Sequence, residues 1–513
     1  MKLEISGNET LIGAKSGFEQ TMWQAANKLR NNLDAAEYKH VVLGLMFLKF
    51  ISDKFQETYK KIRKANKSSE DKSDFIKTSG FWLPPLARWE YLEENANEDI
   101  IGNLINDAMN LIERENPSLN GVLPGDYTRE TLDKDQLGEL IRLIGSIKFG
   151  DKEYRNRDVL GRVYEYFLGQ FALAEGRKGG QFYTPPSVVR LLVEMIEPYK
   201  GSVFDPCCGS GGMFIQSERF IESHGGQLDD ITVYGQESNK TTWRLCRMNL
   251  FIHGIIGDIQ WGDSLNADAY VDLKADYILA NPPFNAKEWK AKKPQYDKQW
   301  KYGIPPLRNA NFAWVQHFIS HMAPTGVAGF VLANGSLSSM TSNEGMIRKN
   351  VIEDDLIDCI VALPDRLFYN TGISACLWIL DQDKGNVDYR DRRKQILFID
   401  ARNMGILVNK ARRELSTDDI QKIVNTFQSW KYNKYDYQDI LGFCKAVNIS
   451  NIRKQQYILT PSRYVGITEE SELDETFVEK ISSLTKELEV QFKKSKILED
   501  TILRNLGRLK HDF

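Results

Sequence analysis

Asn281-Pro282-Pro283-Phe284 follows an apolar, strand-like run, Tyr277-Ile278-Leu279-Ala280, and so places an amide and an aromatic ring just past a strand's carboxyl end. Open α/β sheets hold their ligands at that edge. An Asn side-chain oxygen and the backbone carbonyl after it can accept both hydrogens of an exocyclic amine, while Phe284 can stack on the planar ring that bears the amine. Such an amine attacks poorly, because its lone pair is delocalised into the ring. Two acceptors draw the nitrogen toward tetrahedral geometry and free the lone pair to displace a methyl group from a sulfonium held in line. Most of that catalysis is positioning and electrostatics, and it requires no metal. Asn281, Pro282, Pro283 and Phe284 are therefore the candidate catalytic residues. Taken alone, the same string also suits a Pro-ended strand entering a turn, so the elements upstream decide between the two.

Val203-Phe204-Asp205-Pro206-Cys207-Cys208-Gly209-Ser210-Gly211-Gly212 predicts a short strand, a glycine turn and a helix start. Glycines there let the backbone approach a ligand at the helix N-terminus. The spacing is neither the G-x-G-x-x-G of nicotinamide enzymes nor a G-x-x-x-x-G-K-[ST] loop, so a different nucleoside cofactor fits better. A second strand, Ile231 to Gln236, delivers Glu237 at about the distance where such folds set an acid on ribose hydroxyls. A third, Asp258 to Gly262, ends at Asp263, and the fourth ends at the NPPF string. Each carboxylate alone also suits a helix cap or a solvated position, but four consecutive strands each deliver a polar or glycine-rich group.

These residues resemble the γ-type amino-methyltransferases, and most closely the modification subunits of type I restriction–modification systems. Gly179-Gly180-Gln181-Phe182-Tyr183-Thr184-Pro185-Pro186 is similar to the segment that helps to hold S-adenosylmethionine in that family. Its Gly-Gly hinge, paired aromatics and Thr before Pro185 also make an ordered turn that can open a helix. Further resemblance lies in Leu29–Leu45, in Leu332–Ser339 and in Leu459–Gly466, so it spans nearly the whole chain. The Cys207-Cys208 pair departs from the single Cys commoner in related loops. The resemblance implies a Rossmann-like, doubly wound α/β methyltransferase sheet with an N-terminal helical domain and a C-terminal helical tail. It implies S-adenosylmethionine bound by Gln181 through Pro186, Asp205, Gly209, Ser210, Gly211, Gly212, Glu237 and Asp263. It also implies adenine N6 in DNA as substrate, extruded from the duplex because a stacked amine cannot meet the sulfonium in line. A separate specificity subunit, with two modification subunits to each one, and a restriction subunit on another chain are the implied partners.

Composition agrees. The 513 residues suffice for two or three domains. A formal charge of −3 suits poorly a protein that must grip DNA unaided. The exception is the basic and aromatic stretch after NPPF, with Lys287, Trp289, Lys290, Lys292, Lys293, Tyr296, Lys298, Trp300, Lys301, Tyr302 and Arg308, a mixture suited to phosphate contacts and stacking around an extruded nucleotide. Six scattered cysteines suggest a reducing compartment and no structural zinc. His317 and His321 stand one helical turn apart, but no neighbouring carboxylate has zincin spacing, so no metal is expected. Lys2-Leu3-Glu4-Ile5 lacks a signal-peptide core and the apolar run Val41–Ile51 is too short to span a bilayer, so a cytoplasmic protein without a membrane partner is expected.

Three parts are expected: helices over 1–150 with a polar break across 64–80, the methyltransferase unit over 151–455, and a helical segment over 456–513. In the last, Phe477, Ile481, Leu484, Leu488, Leu498, Ile502 and Leu509 form a near-heptad stripe interrupted by Gln491, Ser495 and Asn505. Such a stripe suits a helix that docks on a specificity subunit, or one that packs on the chain's own N-terminal helices. Amino-methyltransferases acting on protein glutamine or on RNA bases, and a silent scaffold for the specificity subunit, stay open as alternatives. A cytosine-N4 enzyme would more commonly carry Ser at position 281.

Overall fold

The computed structural model describes residues 11–30, 33–64, 71–146, 157–175, 183–287, 289, 300–368, 372–409, 412–433, 436–466 and 477–509. The N-terminal part is a helical bundle: α1 (Leu11–Leu29), α2 (Ala35–Lys64), α3 (Lys72–Ser79), α4 (Trp89–Glu94), α5 (Ile101–Glu115) and α6 (Lys134–Gly145). The apolar run of α2 is buried at its centre, from Val41 to Leu48, as its length predicts for a core helix. The polar break is not all loop. Asp71 accepts from the Ser73 N–H and Gly80 closes the other end with φ 80°, so α3 forms between a cap and a stop and buries Phe75.

Helix α7 (Arg157–Glu175) falls after the sequence boundary at 150, yet Tyr164, Phe167, Leu168 and Phe171 belong to the helical core. Trp23 meets Phe167 and Phe171 edge-on at 5.5 and 4.7 Å. Leu245, Met248 and Ile252 join the same core from α10 (Lys240–His253). The helical bundle and the α/β unit thus share apolar packing, which a linear division of the chain does not convey.

The α/β unit is built on nine strands in the order β11-β8-β6-β7-β5-β4-β1-β2-β3. Strands β1 (Gly201–Asp205), β2 (Ile231–Glu237), β3 (Gly257–Trp261), β4 (Ala275–Ala280) and β5 (Met322–Ala333) are mutually parallel. Between β5 and β6 (Ile357–Ala362) lies β7 (Ala375–Asp381), antiparallel to both. Strand β8 (Gln395–Asp400) runs parallel to β6, and β11 (Cys444–Asn448) closes the edge antiparallel. Outside the sheet, β9 (Ile406–Asn409) and β10 (Arg412–Glu414) pair as a hairpin. Strands β6 and β7 are buried along their whole length, as expected for strands covered on both faces.

Helices α8 (Pro186–Ile196), α9 (Gly212–Ser223), α11 (Asn311–His321), α12 (Glu344–Glu353), α13 (Thr417–Lys431) and α14 (Ile449–Lys454) accompany the sheet. The Ser416–Asp419 capping box starts α13 and the Asn239 side chain starts α10. The unit also runs past the sequence boundary at 455. Leu459 is buried and its N–H bonds the Leu337 carbonyl at 2.9 Å, while Tyr464 stacks on Phe398 at 4.2 Å. Helix α15 (Phe477–Leu509) ends the described chain, with Ile481, Leu484, Leu488, Leu498 and Ile502 all 48–62% exposed. Packing of that stripe on the chain's own N-terminal helices is therefore not what the structure shows.

Candidate active site

Strand order reverses at β1, whose chain neighbours lie on one side and β4 on the other, and a crevice opens there at the carboxyl ends. Asp205 ends β1 and Asn281 follows β4 directly. A cleft of about 470 Å³ lies over them, with a smaller recess of about 90 Å³ beside it. Gly209, Ser210, Cys207, Tyr183 and Asn281 line both, so the two form one bipartite site.

The glycine turn is shaped as its sequence predicts. Gly209 and Gly211 have φ of 56° and 84°, which glycine adopts without strain, and a Cβ on Gly209 would meet nothing within 4 Å, so the backbone there faces open space. Gly211 caps α9 and its missing Cβ makes room for the Cys246 sulfur at 3.1 Å. It therefore shapes the turn and does not line the site, whereas Gly212 lines the recess.

Glu237 locks this turn from β2: its carboxylate accepts from the Gly209 N–H at 3.1 Å and from the Asn239 N–H at 2.7 Å. A carboxylate has further lone pairs, so it can still take ribose hydroxyls from the cleft that it lines. Asp263 lines the same cleft and is braced by the Leu265 N–H at 3.0 Å and the Asn266 amide at 2.7 Å.

Asp205 lines the recess and is 2% exposed. Burial pushes its carboxyl up to about 7, against the pull of the Cys207 N–H, with the Glu237 charge adding to the rise. Burial also raises Glu237, opposed by the Asn239 and Gly209 N–H groups. Among the described residues no cationic side chain bonds buried Asp205 or half-buried Glu237, and such a pair of carboxylates favours a ligand that brings positive charge.

Asp205 also gives a pH signature. The folded chain holds this proton to higher pH than an ordinary Asp at 3.8, so stability falls as pH rises from about 4 to about 7. Asp205→Asn keeps an acceptor for the Cys207 N–H and removes the charge. Its Tm relative to wild type should rise from pH 5 to pH 8, by an amount worth on the order of 1 kcal/mol per pH unit across that window. Thermal melts at both pH values check this, and an equal difference at the two would refute it.

Asn281 sits where the cleft and recess meet. Its amide nitrogen donates to the Thr184 hydroxyl at 2.8 Å, while its side-chain oxygen is buried and has no hydrogen-bond partner. An orphaned buried acceptor is costly and rare. The oxygen is thus pre-aimed for a donor that enters the site. Thr184, expected among the donor-binding residues, lines the recess and orients the amide that would accept the amine.

The remaining expected residues divide. Pro283 lines the cleft, and Pro186 lines the recess as the first residue of α8, with Pro185 as its cap. Pro282 is buried beneath the site. Phe284 is 7% exposed, its ring edge-on to Phe368 at 5.5 Å in the apolar core, so it does not line the cleft as a stacking platform. Gln181 and Phe182 lie outside the described residues.

The basic and aromatic stretch also divides. Trp289 lines the cleft, anchored by its indole N–H on the Pro306 carbonyl at 2.9 Å and by Trp300 at 5.6 Å. Trp300 and Tyr302 are buried, and Lys301 and the Tyr302 hydroxyl both bond Asp354, at 2.7 and 2.5 Å. Burial removes Trp300 and Tyr302 from any nucleotide, whereas Lys301 is exposed beside its Asp354 partner. Residues 288 and 290–299 lie outside the described residues.

Sequence reasoning missed Trp314 and the pair Lys39 and Glu175, all of which line the cleft. Lys39 and Glu175 form a buried ion pair at 2.6 Å from α2 and α7. The helical bundle thereby closes one wall of the site. Nothing in the sequence singled out Lys39, since α2 also buries Lys49, which pairs locally with Asp53.

Residues 155–473 match the N-6 DNA methylase family, and residues 18–144 match the HsdM N-terminal domain family. The chain is 43% identical over 453 residues to the type I restriction enzyme HindI methylase subunit of Haemophilus influenzae, covering 84% of this chain and 100% of that relative. It is 40% identical over 474 residues to the MjaIX methylase subunit of Methanocaldococcus jannaschii, covering 88% and 84%. Its fold is similar to the crystal structure of a type I restriction–modification methyltransferase subunit from Streptococcus thermophilus, with TM-score 0.76, 25% identity and coverage of 88% and 99%. With an amine-acceptor motif at the switch point of a methyltransferase sheet, the chain belongs to the N-6 DNA methylase family as a methyltransferase subunit of the type I restriction–modification kind, a DNA adenine N6-methyltransferase.

Proposed function

We propose that this chain transfers the methyl group of S-adenosylmethionine to adenine N6 at sites chosen by a separate specificity subunit, two copies of the chain serving each specificity subunit. The observation that carries the reading is the unpartnered Asn281 oxygen, held in place by Thr184. When bound, S-adenosylmethionine supplies an electrophilic methyl on a sulfonium. Ser210, Gly212, Asp205 and Tyr183, which line the recess, are assigned its amino-acid end, and Glu237 and Asp263, which line the cleft, its nucleoside. The two raised carboxylates support that assignment, because a cationic ligand relieves their burial.

Asn281 then accepts one hydrogen of the adenine amine at its side-chain oxygen, and the backbone carbonyl that follows, that of Pro282, is assigned the other. Both acceptors are neutral, so the nitrogen sheds its surplus proton only after it has gained the methyl group. Pro282 and Pro283 stiffen the backbone that carries these acceptors. For Phe284 to stack on the base, its ring must leave Phe368, and Trp289 is the aromatic already at the cleft. Nuclease activity belongs to a restriction subunit on another chain. No helix among the described residues is long and apolar enough to cross a membrane.

The test is methyl transfer from labelled S-adenosylmethionine to DNA by this chain with and without its specificity subunit, followed by nucleoside digestion. N6-methyladenine appearing only with the partner is the expected result. Label in N4-methylcytosine, in RNA or in protein would overturn the substrate assignment.

A further inference from the structure

Below the Trp314 wall of the cleft lies a cluster that the methyl-transfer chemistry does not use. Asp268, His317 and His321 each turn one ligand atom inward, and these atoms all lie within 4.8 Å of one another. The two histidines are one turn apart on α11, so their imidazoles share a face. Asp268 comes from the segment between β3 and β4, which supplies the carboxylate that the local sequence around the histidines lacks. His317 and His321 are 0% and 2% exposed.

The hydrogen bonding has the form of a ligand set. His321 Nδ1 bonds the Leu273 carbonyl oxygen at 3.0 Å and directs Nε2 toward Asp268 Oδ2 at 2.9 Å. One ring nitrogen on a backbone carbonyl, with the other turned inward, is how metal-bound histidines are oriented. His317 is the anomaly: it is fully buried, and neither Nδ1 nor Nε2 has a hydrogen-bond partner.

We propose that Asp268, His317 and His321 bind one borderline divalent transition-metal cation beneath the cleft, of which zinc is the leading case. Two imidazoles and a carboxylate suit zinc in both ligand type and number, with a fourth position left for water. Ligand atoms on tetrahedral zinc lie roughly 3.4 Å apart, so a small inward turn of His317 closes the set. Asp268 is half-buried and marks the route of entry. The ion would join the segment that carries Asp263 to the helix that carries Trp314, which His317 meets edge-on at 5.9 Å. Both residues line the cleft, so the ion would brace two of its walls.

The alternative is a metal-free contact between His321 and Asp268, with His317 left unsatisfied. Untagged full-length chain, stripped with chelator and titrated with Co²⁺, separates the two. One equivalent of Co²⁺ with intense tetrahedral d–d absorption, displaced by Zn²⁺, is expected. His317→Ala should weaken Co²⁺ binding by more than about 100-fold, and Asp268→Asn, which keeps the side-chain shape, should shift the spectrum even if His317→Ala folds poorly. Absence of stoichiometric Co²⁺ binding by the stripped wild type, or the same affinity and spectrum in both variants, would overturn the proposal.

Discussion

Asn281→Ala is expected to abolish detectable methyl transfer, a loss on the order of 10²–10³-fold or more for removal of one preorganised hydrogen-bonding group at the reacting atom. Affinity for S-adenosylmethionine should be nearly unchanged, because the glycine turn, Glu237 and Asp263 are separate from that amide. Thr184→Val extends the argument. It removes the hydroxyl that accepts from the Asn281 amide at 2.8 Å but leaves Asn281 in place. Losing one neutral hydrogen bond is worth about 1 kcal/mol, so kcat should fall severalfold to tenfold with little change in donor Kd. Single-turnover rates and equilibrium donor binding, measured on both variants, separate the roles. Lost donor affinity in Asn281→Ala would contradict the amine-acceptor assignment, and a weakened donor Kd with normal kcat in Thr184→Val would return Thr184 to the donor-binding set.

Removal of residues 473–513 should leave donor binding intact while the complex with the specificity subunit no longer forms. The seam from Ile481 through Leu484, Leu488 and Leu498 to Ile502 keeps heptad spacing, and Val490, Phe492 and Ile497 add exposed apolar surface beside it. A helix this apolar on exposed faces is expected to be covered by partner helices. If only two of these side chains act as anchors worth about 2 kcal/mol each, their loss weakens association about 1,000-fold. Size-exclusion chromatography of the truncated chain mixed with the specificity subunit reads this directly. The double substitution Leu484→Glu with Leu488→Glu tests the same surface without shortening the chain. A normal complex in both would place the docking surface elsewhere.

The placement of the candidate residues was legible in the sequence because the elements that carry them are local. Asp205 ends β1 with the glycine turn after it, the NPPF string follows β4, and a strand's carboxyl end fixes where the next residue stands. Glu237 and Asp263 were legible for the same reason. What the tertiary structure alone decided are pairings between residues far apart in the chain. Thr184 reaches Asn281 only because α8 begins beside the end of β4. Lys39 meets Glu175 only because α2 and α7 share a core with α10. The antiparallel insertion of β7 between β5 and β6 leaves no mark in composition, since a strand buried on both faces has the same apolar run in either direction. Phe284 and Trp300 were read as stacking groups from their types, and the core claimed them because a buried ring loses more by exposure than a polar loop gains. The cluster of Asp268 with His317 and His321 has the same origin. Helical spacing sets the two histidines on one face, but only the packing of α11 against the segment after β3 brings the carboxylate to them.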